Sequence, residues 1–439
     1  MEQNVEALSA SPIADALTRR QGRRAVFAAT LGNGLEFYDF VTFAYFAIQI
    51  GNTFFPSVNH YLSLMGALAT FGAGFLTRPL GAFIIGGYAD RHGRRPALLF
   101  SMGLMGAGIT LLALTPGYAT IGLAAPVIAV IARLMQGFAL GGEVGSATAY
   151  MMESAQENRR GYAISWQGAS QQVASTVGAL VGLILSHFVG KAGLDSYGWR
   201  IALMLGASIV PAALFMRRSL PETHASDASA QARKVSVLPH LRIVVLGVAI
   251  IGSGTIATYI FHYMATFGQN TLRLSAQTSF AGETANNAVG LAAILIGGAI
   301  SDRIGRRWVM IAPQIAFALA IVPAFAWLTT NRDAASFIGA NIILSLFSSL
   351  GYGAVYAAIA ESLPPAIRAR IFALVYSVPV ALFGGTTQLV VTWLLHVTGN
   401  PMAIAWYLTG VTLIGLVAMV LMRESAPARA RNSRLALAT

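Results

Sequence analysis

Apolar residues run along this chain in stretches of about 20, the length of helix needed to cross a bilayer core. Twelve such runs can be read, at roughly 25–50, 62–88, 97–115, 120–150, 161–188, 199–216, 241–266, 280–300, 308–328, 335–360, 370–396 and 402–422. The polar connectors between them are short, with one exception. From Arg217 to His240 the chain is polar and rich in Ala, Ser and Pro, and this stretch separates six runs from six. The pattern predicts an all-α membrane protein of twelve transmembrane helices in two six-helix bundles, 25–216 and 241–422. Residues 217–240 form the linker, with tails at 1–24 and 423–439.

One phrase occurs in both halves. Asp90-Arg91-His92-Gly93-Arg94-Arg95 recurs 212 positions later as Asp302-Arg303-Ile304-Gly305-Arg306-Arg307. Each copy joins two apolar runs, and each has a glycine four residues before its aspartate, Gly86 and Gly298. A charged turn at the same place in both halves is the mark of an internally duplicated transporter. Glycines let neighbouring helices approach closely, and an aspartate can bond free N–H groups at a helix start. A second echo lies nearby: Glu153 precedes Arg160 by seven residues, as Glu361 precedes Arg368. These four clusters are expected to form a gate network between the halves. The alternative is solvated loop charge that serves only topology.

Charge fixes the orientation. The formal net charge is +12, yet only 10% of residues are charged, against about 25% in soluble domains. With the N-terminus inside, 23 of the 29 Arg and Lys fall in cytoplasmic segments and four in outer loops (Lys191, Arg200, Arg273, Arg332). The positive-inside rule then puts both termini in the cytoplasm. A topology signal spread over seven segments gives no reason to invoke nucleic acid, and the expected surroundings are a lipid bilayer. Residues 1–24 lack an apolar core of their own, so no cleaved signal peptide is expected. Arg19-Arg20, close to Arg23-Arg24, reads as an anchor for the inner end of the first span. With no cysteine, disulfides and thiolate metal sites are excluded.

Charges inside the spans need a reason, since each costs about 2.5–3.5 kcal/mol at the bilayer centre. The first half carries Glu36, Asp39, Arg78, Arg133 and Glu143. At about 1.5 Å per residue, Glu36 and Asp39 stand about 16 and 21 Å up their helix, Arg78 about 18 Å above the Asp90 turn, and Arg133 about 20 Å down its own. Glu36 and Asp39 share a helix face. Gln167, Gln171 and Gln172 come to the same level. The group describes a polar cavity, or else a set of internal salt bridges. In the second half no charge is expected near the midplane. Neutral groups stand there instead: Tyr259, His262, Tyr263, Asn286, Asn287, Tyr352, Tyr356 and Gln388. Most read as packing or interfacial residues, with His262 retained as a candidate. No span holds histidines at metal-ligand spacing, so no metal site is expected, and no P-loop suggests ATP drive.

The two Asp-Arg-x-Gly-Arg-Arg turns, Arg133-Leu134-Met135-Gln136-Gly137 and Pro221-Glu222-Thr223 resemble the signature set of the major facilitator superfamily. Within it, the stretch Gly32 to Phe40 (GNGLEFYDF), Arg78-Pro79-Leu80-Gly81-Ala82 and Gly141-Gly142-Glu143 resemble the metabolite:proton symporter family. Ser165 to Ala174 (SWQGASQQVA) is similar to its citrate and tricarballylate branch. The resemblance implies alternating access and proton-coupled uptake of a small carboxylate, with no enzymatic activity and no cofactor beyond the proton. It makes Glu36 and Asp39 candidate proton carriers and Arg78 and Arg133 candidate partners for a substrate carboxylate, and the reading of the spans adds Gln167, Gln171 and His262 as substrate-binding candidates. The gate would comprise Asp90, Arg91, Arg94, Arg95, Glu153, Arg160, Asp302, Arg303, Arg306, Arg307, Glu361 and Arg368. A monomer in a bacterial inner membrane is expected. The family also holds carriers of betaine or proline, shikimate and 2-oxoglutarate, and a non-transporting membrane sensor is the rival outside transport. Trp308 stands where the first turn is followed by Pro96, so the two gates are unequal.

Overall fold

A computed structural model of the chain describes residues 34, 37–92, 94–140, 151–152, 155–218 and 238–426. The described elements are all helical. They are α1 (Ala47–Phe54), α2 (His60–Leu76), α3 (Arg78–His92), α4 (Arg94–Leu114), α5 (Ala124–Ala139), α6 (Arg160–Phe188) and α7 (Trp199–Arg218). After residues 219–237 come α8 (Leu241–Thr266), α9 (Ala276–Ile304), α10 (Arg306–Asn331), α11 (Ala334–Tyr352), α12 (Val355–Glu361), α13 (Pro365–Pro379), α14 (Gly385–Thr398) and α15 (Ala403–Leu421). The helical turns from Phe37 to Tyr45 lead into α1. Eight helices among the described residues are long and apolar enough to cross a membrane, His60–Ile85 being the first and Ala403–Leu421 the last.

Several of the predicted runs are broken rather than continuous. Val380–Gly384 is a wide π turn directly after Pro379, which lacks the N–H a regular helix needs, so one apolar run becomes α13 and α14. Helix starts follow local chemistry. The side chains of Asn59 and Ser275 accept the N–H of Tyr61 and Thr278, and Asp333 with Ser336 forms a reciprocal capping box on α11. Burial also departs from a uniform bundle: α8 is covered over most of its length, whereas many large apolar side chains elsewhere face outward. An exposed apolar surface of that kind is what lipid would cover.

The helices before residue 219 meet those after 237 along two seams. At the first, α6 packs along α9. The repeat glycine Gly298 makes this possible, because a Cβ there would lie 2.6 Å from Ser165 Oγ and 2.8 Å from the Gly161 carbonyl. At the second, α2 crosses α14 where Gly72 and Gly385 face each other. Far from the arginine-rich turns, the Phe46 and Phe280 rings lie 5.2 Å apart, and Tyr61 stacks on His396 at 3.9 Å. Both seams flank a central cavity.

Candidate functional site: a cavity between the halves

Some 970 Å³ of empty space, open solvent at the mouth included, lies between the two halves. Arg78, Gln171, Gln172, Ser175 and Phe37 line it from the first half; Tyr259, His262, Asn286, Asn287, Tyr352, Tyr356 and Tyr376 line it from the second. The expectation that second-half polar residues would mostly serve packing is therefore corrected, since they make up much of the wall. Arg78 begins α3, just after Thr77, whose hydroxyl donates to the Leu134 carbonyl at 2.8 Å and ties this corner to α5. Its guanidinium rests on the rings of Phe40 and Phe75, 4.5 and 4.2 Å from their centroids. These faces hold the charge in place. Gln171 Nε2 donates to Tyr376 Oη across the halves at 3.4 Å. His262 is buried among the rings of Phe37, Tyr45 and Tyr259, and its Nδ1 makes no hydrogen bond.

Arg133 and Asp39 sit behind this wall rather than in it. Both are buried, with Arg133 NH1 3.2 Å from Asp39 Oδ2. The same NH1 donates to Gln136, and the guanidinium is boxed by Phe40, Phe43 and Phe71. The pair is only half satisfied: Arg133 Nε and NH2 and Asp39 Oδ1 have no hydrogen-bond partner. Gln167 is buried on α6 and does not line the cavity. Glu36 and Glu143 lie outside the described residues.

The second half also holds an acid that the sequence reading passed over. Glu283 in α9 is fully buried, and its Oε1 accepts the Ala265 N–H at 3.0 Å. Beside it Asn287 Nδ2 donates to Tyr45 Oη of the first half at 2.9 Å. Glu283 stands about 10 Å down α9 from its start at Ala276, so it does not overturn the expectation that no charge lies near the midplane of this half.

The arginine-rich turns show part of the expected network. Asp302 accepts the N–H groups of Gly161 and Tyr162 at 2.8 and 2.9 Å, closing one half onto the start of α6. Arg306 is buried between Asp302 at 2.7 Å and Glu361 at 2.9 Å. Gly305 between α9 and α10 has φ of 101°, a conformation open to glycine and strained for other residues. Arg368 donates to the Ala360 and Leu363 carbonyls, and Arg303 is exposed. Arg307 NH2 donates to the Val420 carbonyl, while Glu424, unforeseen from sequence, accepts the N–H groups of Arg306 and Arg307. Arg91 is exposed at the end of α3, and Arg160 opens α6. Glu153 lies outside the described residues, as do the side chains of Asp90, Arg94 and Arg95. Among the described residues no group of three His, Asp or Glu could hold a metal ion.

A search against known families matches the Major Facilitator Superfamily over residues 40–283 and 279–438. The chain belongs to the major facilitator superfamily. It is 38% identical to the citrate-proton symporter of Salmonella typhi, over 91% of this chain and 93% of that one. It is 34% identical to the alpha-ketoglutarate permease of Escherichia coli K12, over 93% and 96% respectively. The crystal structure of a D-xylose-proton symporter superposes with a TM-score of 0.73 at 17% identity, covering 92% of this chain and 97% of that chain. At that identity the likeness speaks to the fold, which is the facilitator fold of a multi-pass membrane transporter.

Proposed function

We propose that this protein is a proton-coupled symporter that brings a di- or tricarboxylate, citrate or tricarballylate foremost, into a bacterial cell by alternating access. In this reading twelve spans form two six-helix bundles, 25–216 and 241–422, and act as a monomer in the inner membrane. Both termini and the arginine-rich turns face the cytoplasm, and the proton is the sole coupling ion. The similarity to a citrate-proton symporter over nearly the whole chain supports the substrate class.

One observation carries the mechanism: a buried ion pair left half satisfied beside a cavity that presents an arginine. Buried charges persist where their pairing is good, and an incomplete pair is poised to exchange partners. Arg78 meets a substrate carboxylate first, with tyrosine hydroxyls, Gln171 and the α9 amides offering neutral hydrogen bonds to the rest. A proton on Asp39, or on Glu36 three residues earlier in the sequence, removes the counter-charge of Arg133. The two unused Arg133 donors are then free to attract the substrate, and the halves rock closed around it.

A thermal-shift screen of the purified protein separates the readings. Citrate and tricarballylate should raise the melting temperature through ligand linkage, and Arg78→Ala should abolish most of that shift. Stabilisation by betaine with none by citrate would replace the carboxylate reading with that of a zwitterion carrier. A shift by 2-oxoglutarate alone would narrow the substrate to dicarboxylates, a reading that the similarity to an alpha-ketoglutarate permease favours.

A further inference from the structure

Glu283 has no part in the cycle above, yet its surroundings are unusual. Its carboxylate is buried, and Oε1 accepts the Ala265 N–H; Oε2 has no hydrogen-bond partner. Among the described residues no arginine, lysine or charged histidine pairs with it. The groups facing it come from both halves. From the helical turns before α1, Tyr45 Oη lies beside the carboxylate, with the Ser175 hydroxyl of α6 close to Tyr45. From α9 itself Asn287 donates both to Tyr45 Oη, at 2.9 Å, and to the Glu283 main-chain carbonyl, at 2.8 Å. Opposite, α11 presents Phe337 and Asn341 to the neighbouring Gly282. The titratable neighbours are thus Tyr45 and, through its ring contact with Tyr45 at 5.9 Å, His262 of α8. Neither supplies a fixed positive charge.

We propose that Glu283 is a proton-operated latch: the extracellular end of the transporter closes when this carboxyl is protonated and reopens when it is ionised. The proposal rests on the alternating-access reading and on the orientation given with it. In the closed arrangement the turns before α1 cover Glu283 through Tyr45, and both side chains are buried. An ionised carboxylate sealed there would be met by neutral donors alone, the Ala265 N–H and the Tyr45 hydroxyl, with no counter-charge among the described residues, which is unfavourable. A protonated one carries no charge and needs no counter-ion. Separating the halves at this end would move Tyr45 away and let water solvate the anion. The latch therefore binds one proton from outside on closing and returns it to the same side on opening. It sets the pH dependence of closure and adds nothing to the number of protons that accompany substrate.

The native absence of cysteine makes the test direct. Tyr61 and His396 stack across the halves at the same end, so Tyr61→Cys with His396→Cys places a reporter pair there and removes His396 as a source of pH response. Cross-linking by a short bifunctional thiol reagent is followed against pH in the full-length protein, without substrate, in choline and in sodium buffer. The closed-to-open ratio should rise as pH falls, by up to about tenfold per pH unit, the limit for one linked proton. Adding Glu283→Gln should hold the pair closed at every pH, while adding His262→Gln should leave the pH response intact. The proposal is overturned by a pH response that survives Glu283→Gln, by none in the parent pair, by loss of the response with His262→Gln, or by a response driven by sodium. Labelled citrate flux measured in parallel distinguishes this from failure of the symport reading. Glu283→Gln, held closed at the extracellular end, should lose citrate uptake from outside, whereas uptake at the parent rate would overturn the latch.

Discussion

Arg78 and Arg133 sit at similar depth in the sequence reading but occupy different places in the structure. Arg78 lies in the cavity wall, and Arg133 lies behind it on Asp39. Removing one member of a buried pair leaves the other charged and unpaired, at a cost of about 3–5 kcal/mol. Arg133→Ala should therefore lower thermal stability by that order, and the double variant Asp39→Asn with Arg133→Gln should recover much of it. Melting curves of the double variant and its two single variants check this; a double loss equal to the sum of the single losses would show that the pair is not coupled. Charged residues in apolar runs were legible because the bilayer makes them conspicuous. The cavity tyrosines were not, since an isolated tyrosine in a span reads equally well as packing. Glu283 was missed for a different reason. Counting along an apolar run placed it near the start of its span, and only the packing of α9 against α6, α8 and α11 shows that it is buried.

At the scale of the elements, run length located most helices and local chemistry set their ends. What hydropathy could not show was where a run breaks, because the π turn after Pro379 is as apolar as the helices it joins. The capping box of α11 gives a pH-dependent test outside the membrane spans. The hydroxyl and N–H of Ser336 hold the Asp333 carboxyl below the usual carboxylate range. A depressed folded value means that the cap stabilises the protein above the unfolded pKa and loses that effect as pH falls through the folded one. Asp333→Ala should lower the melting temperature at neutral pH, with the difference from the parent shrinking in acid. A difference that stayed constant across that range would show that the ionised carboxylate is not what caps the helix.

For the whole molecule, the duplication was visible in the Asp-Arg-x-Gly-Arg-Arg turns, and the second copy now has a mechanical role. Asp302 ties its half to the start of α6, while Arg306 joins Asp302 to Glu361. Glu424 adds a cap from beyond the last helix that no repeat announced. The contrast between halves is sharper than the sequence suggested: the first contributes the arginines, and the second contributes much of the neutral wall together with one buried acid. A cavity built this way needs both halves to hold one substrate, as alternating access requires. The most direct test is uptake of labelled citrate by the purified protein in liposomes. The account predicts accumulation driven by an inward proton gradient, with Glu36→Gln abolishing that drive while sparing citrate exchange. Citrate uptake at the same rate with and without the gradient would contradict it.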